Sequence, residues 1–249
     1  VGVSTIFMLL LFMMLFGLLS GLSIFVSQFW GSKDIKSIHK IYIISMIVTV
    51  FLSSIFFILG KFFPEFIIGL YNNSDNATDS LILTSYGVDY LSIATFSYFT
   101  MSASFMIGMW MRSVEKVIYP QAIAVGVVLL NTFLNYALIK GNFGFAAYGV
   151  KGAATATLIS SSIGATLLIL YLLKSKEEVF KIKFLLYKEI SKDFLKKVFE
   201  KALVVIGESL GMGEATVLLL KNVGVHSTVR ELTYKMFTEN KQQYFEQDH

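Results

Sequence analysis

The chain has 249 residues, of which 55% are hydrophobic, 15% aromatic and only 15% charged, a balance too apolar for an ordinary soluble domain of this length. It contains no cysteine, which excludes disulfide frameworks and thiolate metal sites and leaves the compartment open. The net charge of +4 does not point to nucleic acid, because the cations are sorted into loops between long uncharged runs.

The first of these runs, Val1 to Ser32, has no charged residue at all. A secretory signal peptide has a basic start and a shorter apolar core, so this run reads as a retained helix over about 5–31. Four more uncharged runs follow: Ile41 to Gly60, Tyr90 to Met111, Val117 to Ile139 and Gly152 to Leu173. About 20 helical residues at 1.5 Å each cross a hydrocarbon core. The runs therefore predict further spans at about 41–60, 84–111, 117–139 and 152–173. The expected fold class is all-α, a polytopic transmembrane helical bundle. Between the second and third spans, Phe62 to Tyr71 reads as a short interfacial helix, with Pro64 suited to its first turn.

If successive spans cross in alternate directions, one side of the membrane receives Lys33, Lys36 and Lys40, then Arg112 and Lys116, then nine lysines between Lys174 and Lys201. The other side receives only Lys61, Lys140 and Lys151, beside Glu65, Asp75, Asp79 and Asp89. Fourteen cations against three place the basic loops in the cytoplasm. The first span then enters from outside, and a chain starting at Val1 reads as a fragment lacking at least one earlier helix.

Residues 174–201 alternate lysine, acid and apolar side chains, as in Lys181 to Lys188. They read as an amphipathic cytoplasmic connector on the lipid headgroups, or as a solvated linker. A sixth run, 202–221, is marginal: nine Leu, Val and Ile side chains favour insertion, while Glu208 and Glu214 together cost roughly 5 kcal/mol. The tail 222–249 is polar and reads as disordered, or as the product of a broken reading frame.

Asn131 and Asn135 are four residues apart in the fourth span and so share one helix face. Polar side chains at membrane depth must face other helices or water. Their carboxamide oxygens can supply neutral ligands to Na+ or bond a protonatable carboxylate, and interhelical hydrogen bonding alone is the simpler alternative. Phe96, Tyr98, Phe99, Met101, Met106 and Met109 form a soft, repackable face from which Tyr98, Met101 and Met106 are taken as cavity or gate candidates; ordinary helix or lipid contact explains the same pattern. Gln28, at the inner end of the first span, is a packing or gating candidate. Asp89, at an outer end, reads as an interfacial group. Gly152, Ala156, Ser160 and Gly164, flanked by Ala153, Thr157 and Ser161, form rows of small residues suited to helix packing.

Enzymatic chemistry is not expected. His39, His226 and His249 lie outside the uncharged runs, with no metal-ligand spacing, and no phosphate-binding glycine loop followed by Lys-Ser/Thr occurs. Transport would have to draw on an ion gradient.

Ser27-Gln28 with Gly31 to Asp34, Met111-Arg112-Ser113 with Pro120, Leu130 to Ile139, Gly141 to Gly144, and Gly149 to Ala154 with Ala156-Thr157 together resemble the multidrug and toxic compound extrusion (MATE) family over roughly residues 5–220. The resemblance implies helices two to six of the first lobe of a two-lobe, twelve-helix secondary transporter, plus the start of the seventh. Two departures stand out: Val204 or Val205 where the family usually opens its seventh helix with proline, and Ala146-Ala147 where a junction proline is common.

By that resemblance Asn131 and Asn135 fall where the family lines its first-lobe cavity near the cation site, and Glu208 falls near the acid that couples ion and substrate. The implied activity is cation-coupled antiport, using Na+ or H+ and no other cofactor, that exports amphipathic or cationic drugs and toxins across a bacterial cytoplasmic membrane. The implied partners are the lipid bilayer, those small substrates, and the first helix and second lobe of the same protein. A lipid-linked oligosaccharide flippase of related architecture and an inactive fragment of a broken transporter gene are the alternatives.

Overall fold

The computed structural model describes residues 2–69, 77–196 and 198; Glu208, the sixth apolar run and the polar tail lie outside them. Among the described residues there is no strand; the α-helices are α1 (Gly2–Gly31), α2 (Ile35–Phe62), α3 (Pro64–Gly69), α4 (Ala77–Ser113), α5 (Ile118–Lys140) and α6 (Gly149–Lys174), and residues 192–196 and 198 are helical as well. Five of them, all but α3, are long and apolar enough to cross a membrane. Short 3-10 turns occupy Asn142–Gly144, Glu178–Phe180 and Phe184–Glu189.

The helices outrun the uncharged runs because polar residues at the interfaces continue them. At the start of α2, Asp34 caps the helix: its carboxylate accepts from the Ser37 amide at 3.1 Å and the Ser37 hydroxyl at 2.6 Å. The Ser37 hydroxyl bond lowers the Asp34 pKa from its ordinary 3.8, with smaller help from the Ser37 amide and Lys40 against a modest burial penalty. His39 thus lies inside the first turns of α2. Pro64 opens α3, whose Ile67 and Ile68 are buried against the bundle.

One core fills the space between α1, α2 and α4. Leu11, Leu15, Leu19, Leu22 and Val26 lie at helical spacing along α1 and meet Ile38, Ile41 and Tyr42 of α2 and Leu91, Tyr98 and Met111 of α4. Ring contacts lace the same seam: Phe7 with Phe56 at 4.8 Å, and Tyr42 stacked on Trp110 at 4.2 Å. Leu9, Phe16, Val50, Phe51 and Leu129, by contrast, turn outward, as a lipid-facing surface requires. Helix α4 joins this three-helix layer to α6, and α6 in turn carries α5.

Contacts sort the loops to two ends. At one end Lys40 pairs with Glu189 at 3.7 Å, Lys116 pairs with Glu177 at 2.8 Å, and His39 Nε2 meets the carbonyls of Glu178 and Val179. At the other, Lys61 donates to the Ser92 carbonyl at 3.1 Å and Lys151 pairs with Asp89 at 3.2 Å. The residues of the three basic loops meet at one end, and the cation-poor ones at the other.

Buried hydroxyls divide into two groups. Those of Ser45, Ser97 and Ser160 bond back to carbonyls of their own helices. Ser4, Thr49, Ser53, Thr95, Tyr98 and Ser102, all in the α1–α2–α4 layer, have buried hydroxyls without a hydrogen-bond partner among the described residues. Each such group costs about 1–3 kcal/mol.

Candidate functional site

Helices α5 and α6 are brought together by the absence of side chains. A Cβ on Gly152 would stand 2.5 Å from the Leu138 carbonyl oxygen, and one on Gly164 would stand 2.5 Å from Val127 Cγ2. The turn between the helices is equally tight: Gly141 has φ +74°, and Tyr148 N–H donates to the Leu138 carbonyl at 2.9 Å. Close approach lets short polar side chains reach across.

Across that seam Asn131 Nδ2 donates to Ser160 Oγ at 3.2 Å and to Thr157 Oγ1 at 3.5 Å. One turn further along α5, Asn135 Nδ2 donates to Asn131 Oδ1 at 2.9 Å. Thr157 and Ser160 complete the chain by donating to the α6 carbonyls of Ala153 and Ala156. The chain starts on an open group, because Asn135 Oδ1 is buried and has no hydrogen-bond partner among the described residues. It is a carbonyl-type oxygen, an acceptor for a cation or a proton donor. A second polar contact joins α6 to α4, where the Thr100 and Ser161 hydroxyls are 2.8 Å apart.

The sequence candidates are not all gathered here. Asn131 and Asn135 share the seam. Tyr98 and Met106 are turned into the core between α1, α2 and α4, where Tyr98 is 1% exposed and its ring centroid lies 6.2 Å from that of Phe7. Met101 is half-buried on α4, and Gln28 is exposed near the C-terminal end of α1 beside Ser27, whose hydroxyl donates to the Ser113 carbonyl at 3.3 Å. Asp89 is held by Lys151. Thr157 and Ser160 are the contributors that sequence reasoning passed over. Both sit in the small-residue rows of α6, where a hydroxyl looks like packing; their i, i+3 spacing was the available signal.

A bundle with five helices long and apolar enough to cross a membrane, joined by a carboxamide and hydroxyl seam, defines the class: a polytopic helical membrane protein. The MatE family model matches residues 1–137, and the chain belongs to that family. It is similar to the protein named "Uncharacterized transporter YisQ" of Bacillus subtilis (strain 168), at 24% identity over 240 residues, which are 96% of this chain and 51% of that protein. A segment of 48 residues, 19% of this chain, is 50% identical to part of the "Probable multidrug resistance protein NorM" of Thermotoga maritima and covers 10% of it. Among solved structures, the inward-facing conformation of a multidrug resistance MATE family transporter of the MOP superfamily superposes with TM-score 0.64 at 18% identity, over 81% of this chain and 44% of that one. The chain thus spans about half the length of the relatives that it matches along most of its own.

Proposed function

We propose that the chain forms first-lobe helices of a cation-coupled antiporter, driven by Na+ or H+, that exports amphipathic or cationic drugs and toxins across the cytoplasmic membrane by alternating access. The observation that carries the reading is the α5–α6 seam, a chain of neutral oxygens and amides with a buried, unpartnered acceptor on Asn135. Buried polar groups at membrane depth are costly and mark ion or substrate paths. For Na+, the Asn131 and Asn135 carbonyl oxygens with the Thr157 and Ser160 hydroxyls supply uncharged ligands. For H+, the same groups would orient a carboxylate from another helix, since none of the four titrates. Family membership, and a relative named for multidrug resistance, support a drug cargo over a lipid-linked sugar. The cycle moves its cargo unchanged, with no enzymatic step, and works together with a second lobe of the same protein, to which Glu208 would belong.

Dye efflux by the full-length protein, in cells lacking their own pumps, tests this. Asn131→Leu and Asn135→Leu are each expected to lower efflux at least tenfold at normal expression. Unchanged efflux in both variants would remove the seam from the transport site. Collapsing the sodium and proton gradients separately identifies the coupling ion.

A further inference from the structure

The cytoplasmic connector has two unlike sides. Its inner side is pinned to the bundle: Val179, Phe180 and Leu186 are buried, Phe194 stacks on Phe29 at 6.4 Å, and His39 Nε2 holds the carbonyls of Glu178 and Val179 at 3.1 and 3.2 Å. Three of its carboxylates are also engaged, Glu177 by Lys116, Glu189 by Lys40 and Glu178 by Lys183; Asp193 is the fourth in the segment 174–196. The connector cannot roll over without breaking these contacts.

Its outer side carries Leu185, 77% exposed, and Tyr187, 56% exposed. With three residues per turn in the Phe184–Glu189 segment, residues i and i+3 eclipse, so Leu186 shares its face with Lys183 and Glu189 while Leu185 lies directly under Lys188. The Lys188 ammonium stands 5.9 Å from the centre of the Tyr187 ring. Lys181 and Lys188 are exposed and have no ion-pair partner among the described residues. An apolar pair with the uncompensated Lys188 ammonium beside it and the exposed Lys181 four residues before Leu185, at the end of the bundle where the basic loops meet, is complementary to one surface: an apolar layer under anionic headgroups.

We propose that Leu185, Tyr187, Lys181 and Lys188 form a docking face for anionic phospholipid headgroups of the cytoplasmic leaflet. Leu185 and Tyr187 enter the headgroup boundary while the lysines remain at the phosphate level, as long cationic side chains do. Each lysine near such a surface strengthens attachment about fivefold. Because the inner side is tied to α2 and to the α4–α5 turn, the docked connector holds the cytoplasmic end of the lobe at a set depth. The proposal rests on the connector alone, whether or not the seam binds a cation.

The chain contains no cysteine, so Leu185→Cys or Tyr187→Cys offers one labelling site for a nitroxide in these residues. The full-length protein is placed in nanodiscs of phosphatidylcholine alone, or of phosphatidylcholine with one-quarter phosphatidylglycerol, and Ser32→Cys serves as an aqueous reference. With phosphatidylglycerol, collision with a water-soluble nickel chelate at 185 and 187 should fall at least threefold below the reference while collision with oxygen rises. Lys181→Gln with Lys188→Gln should restore nickel access. Nickel access equal to the reference would overturn the proposal, as would shielding from both reagents in every lipid, which means protein covers the face. Identical protection in phosphatidylcholine alone would overturn the requirement for anionic headgroups.

Discussion

Asn131 bonds to Asn135, Thr157 and Ser160, whereas Asn135 makes a single side-chain bond and keeps its oxygen open, so truncating the two should have unequal effects. Asn131→Ala removes the bridge between α5 and α6 and strands Asn135; a loss of about 1–2 kcal/mol is expected. Asn135→Ala removes one bond together with an oxygen that was already unpartnered, and should cost well under about 1 kcal/mol. Chemical unfolding in detergent measures both, and the reverse ranking would contradict this bonding pattern. The unpartnered hydroxyls of the α1–α2–α4 layer give the opposite sign. Tyr98→Phe and Ser102→Ala delete buried hydroxyls without breaking a bond among the described residues, so each should leave the melting temperature unchanged or raise it. The Asn131–Asn135 stripe was legible because i, i+4 spacing is a local property. Its partners were not, since Thr157 and Ser160 are 26 and 29 residues away from Asn131 and their meeting depends on how α5 and α6 cross.

Two glycines on the helices of the seam separate close approach from flexibility. A methyl group on Gly152 would strike backbone at Leu138, whereas one on Gly126 of α5 would meet nothing within 4 Å. Gly152→Ala should therefore force the helices apart and cost about 1–3 kcal/mol, and Gly126→Ala should stabilise α5 by about 0.5–1 kcal/mol through helix propensity. Thermal unfolding of the two variants side by side checks the contrast. At the start of α2, Asp34→Ala should cost about 0.5–2 kcal/mol by removing the cap on Ser37. The Asp34 pKa is lowered on folding, so the cap's contribution is present above its ordinary 3.8 and is lost as pH falls below that value. The difference between wild type and Asp34→Ala should accordingly shrink on acidification. Helix existence was readable because an uncharged run long enough to cross a bilayer has few other uses. Helix ends were less so: capping and interfacial residues carried α2 back to Ile35 and α4 back to Ala77, through charges that the run-length criterion stops at.

At the scale of the whole molecule, the order of the spans was legible but their packing was not, because helices that are apolar on every side reveal no inward face. That α4 sits between the α1–α2 layer and the α5–α6 pair follows from which small and aromatic residues interlock. The connector was also ambiguous in sequence, lysine-rich enough for a solvated linker, and its pinned inner side comes from distant residues such as His39 and Lys116. The Lys116–Glu177 pair at 2.8 Å ties the α4–α5 turn to the start of the connector. The hydrogen bond that Lys116 donates to the Glu177 carboxylate raises the Lys116 pKa above its ordinary 10.5, and the carboxylate's charge adds to the rise. While Glu177 is ionised, the tether is therefore fully present below 10.5 and is lost as pH rises through the elevated value. Both groups are partly exposed, so salt should weaken it as well. Lys116→Glu should speed tryptic cleavage at Lys181 and Lys183 severalfold at low ionic strength, and adding Glu177→Lys should restore protection. High salt should erase the difference between wild type and Lys116→Glu, since a tether made of charge has nothing else to lose. Persistence of the difference in high salt would instead mean that the substitution had disturbed the buried Val179–Phe180 anchor.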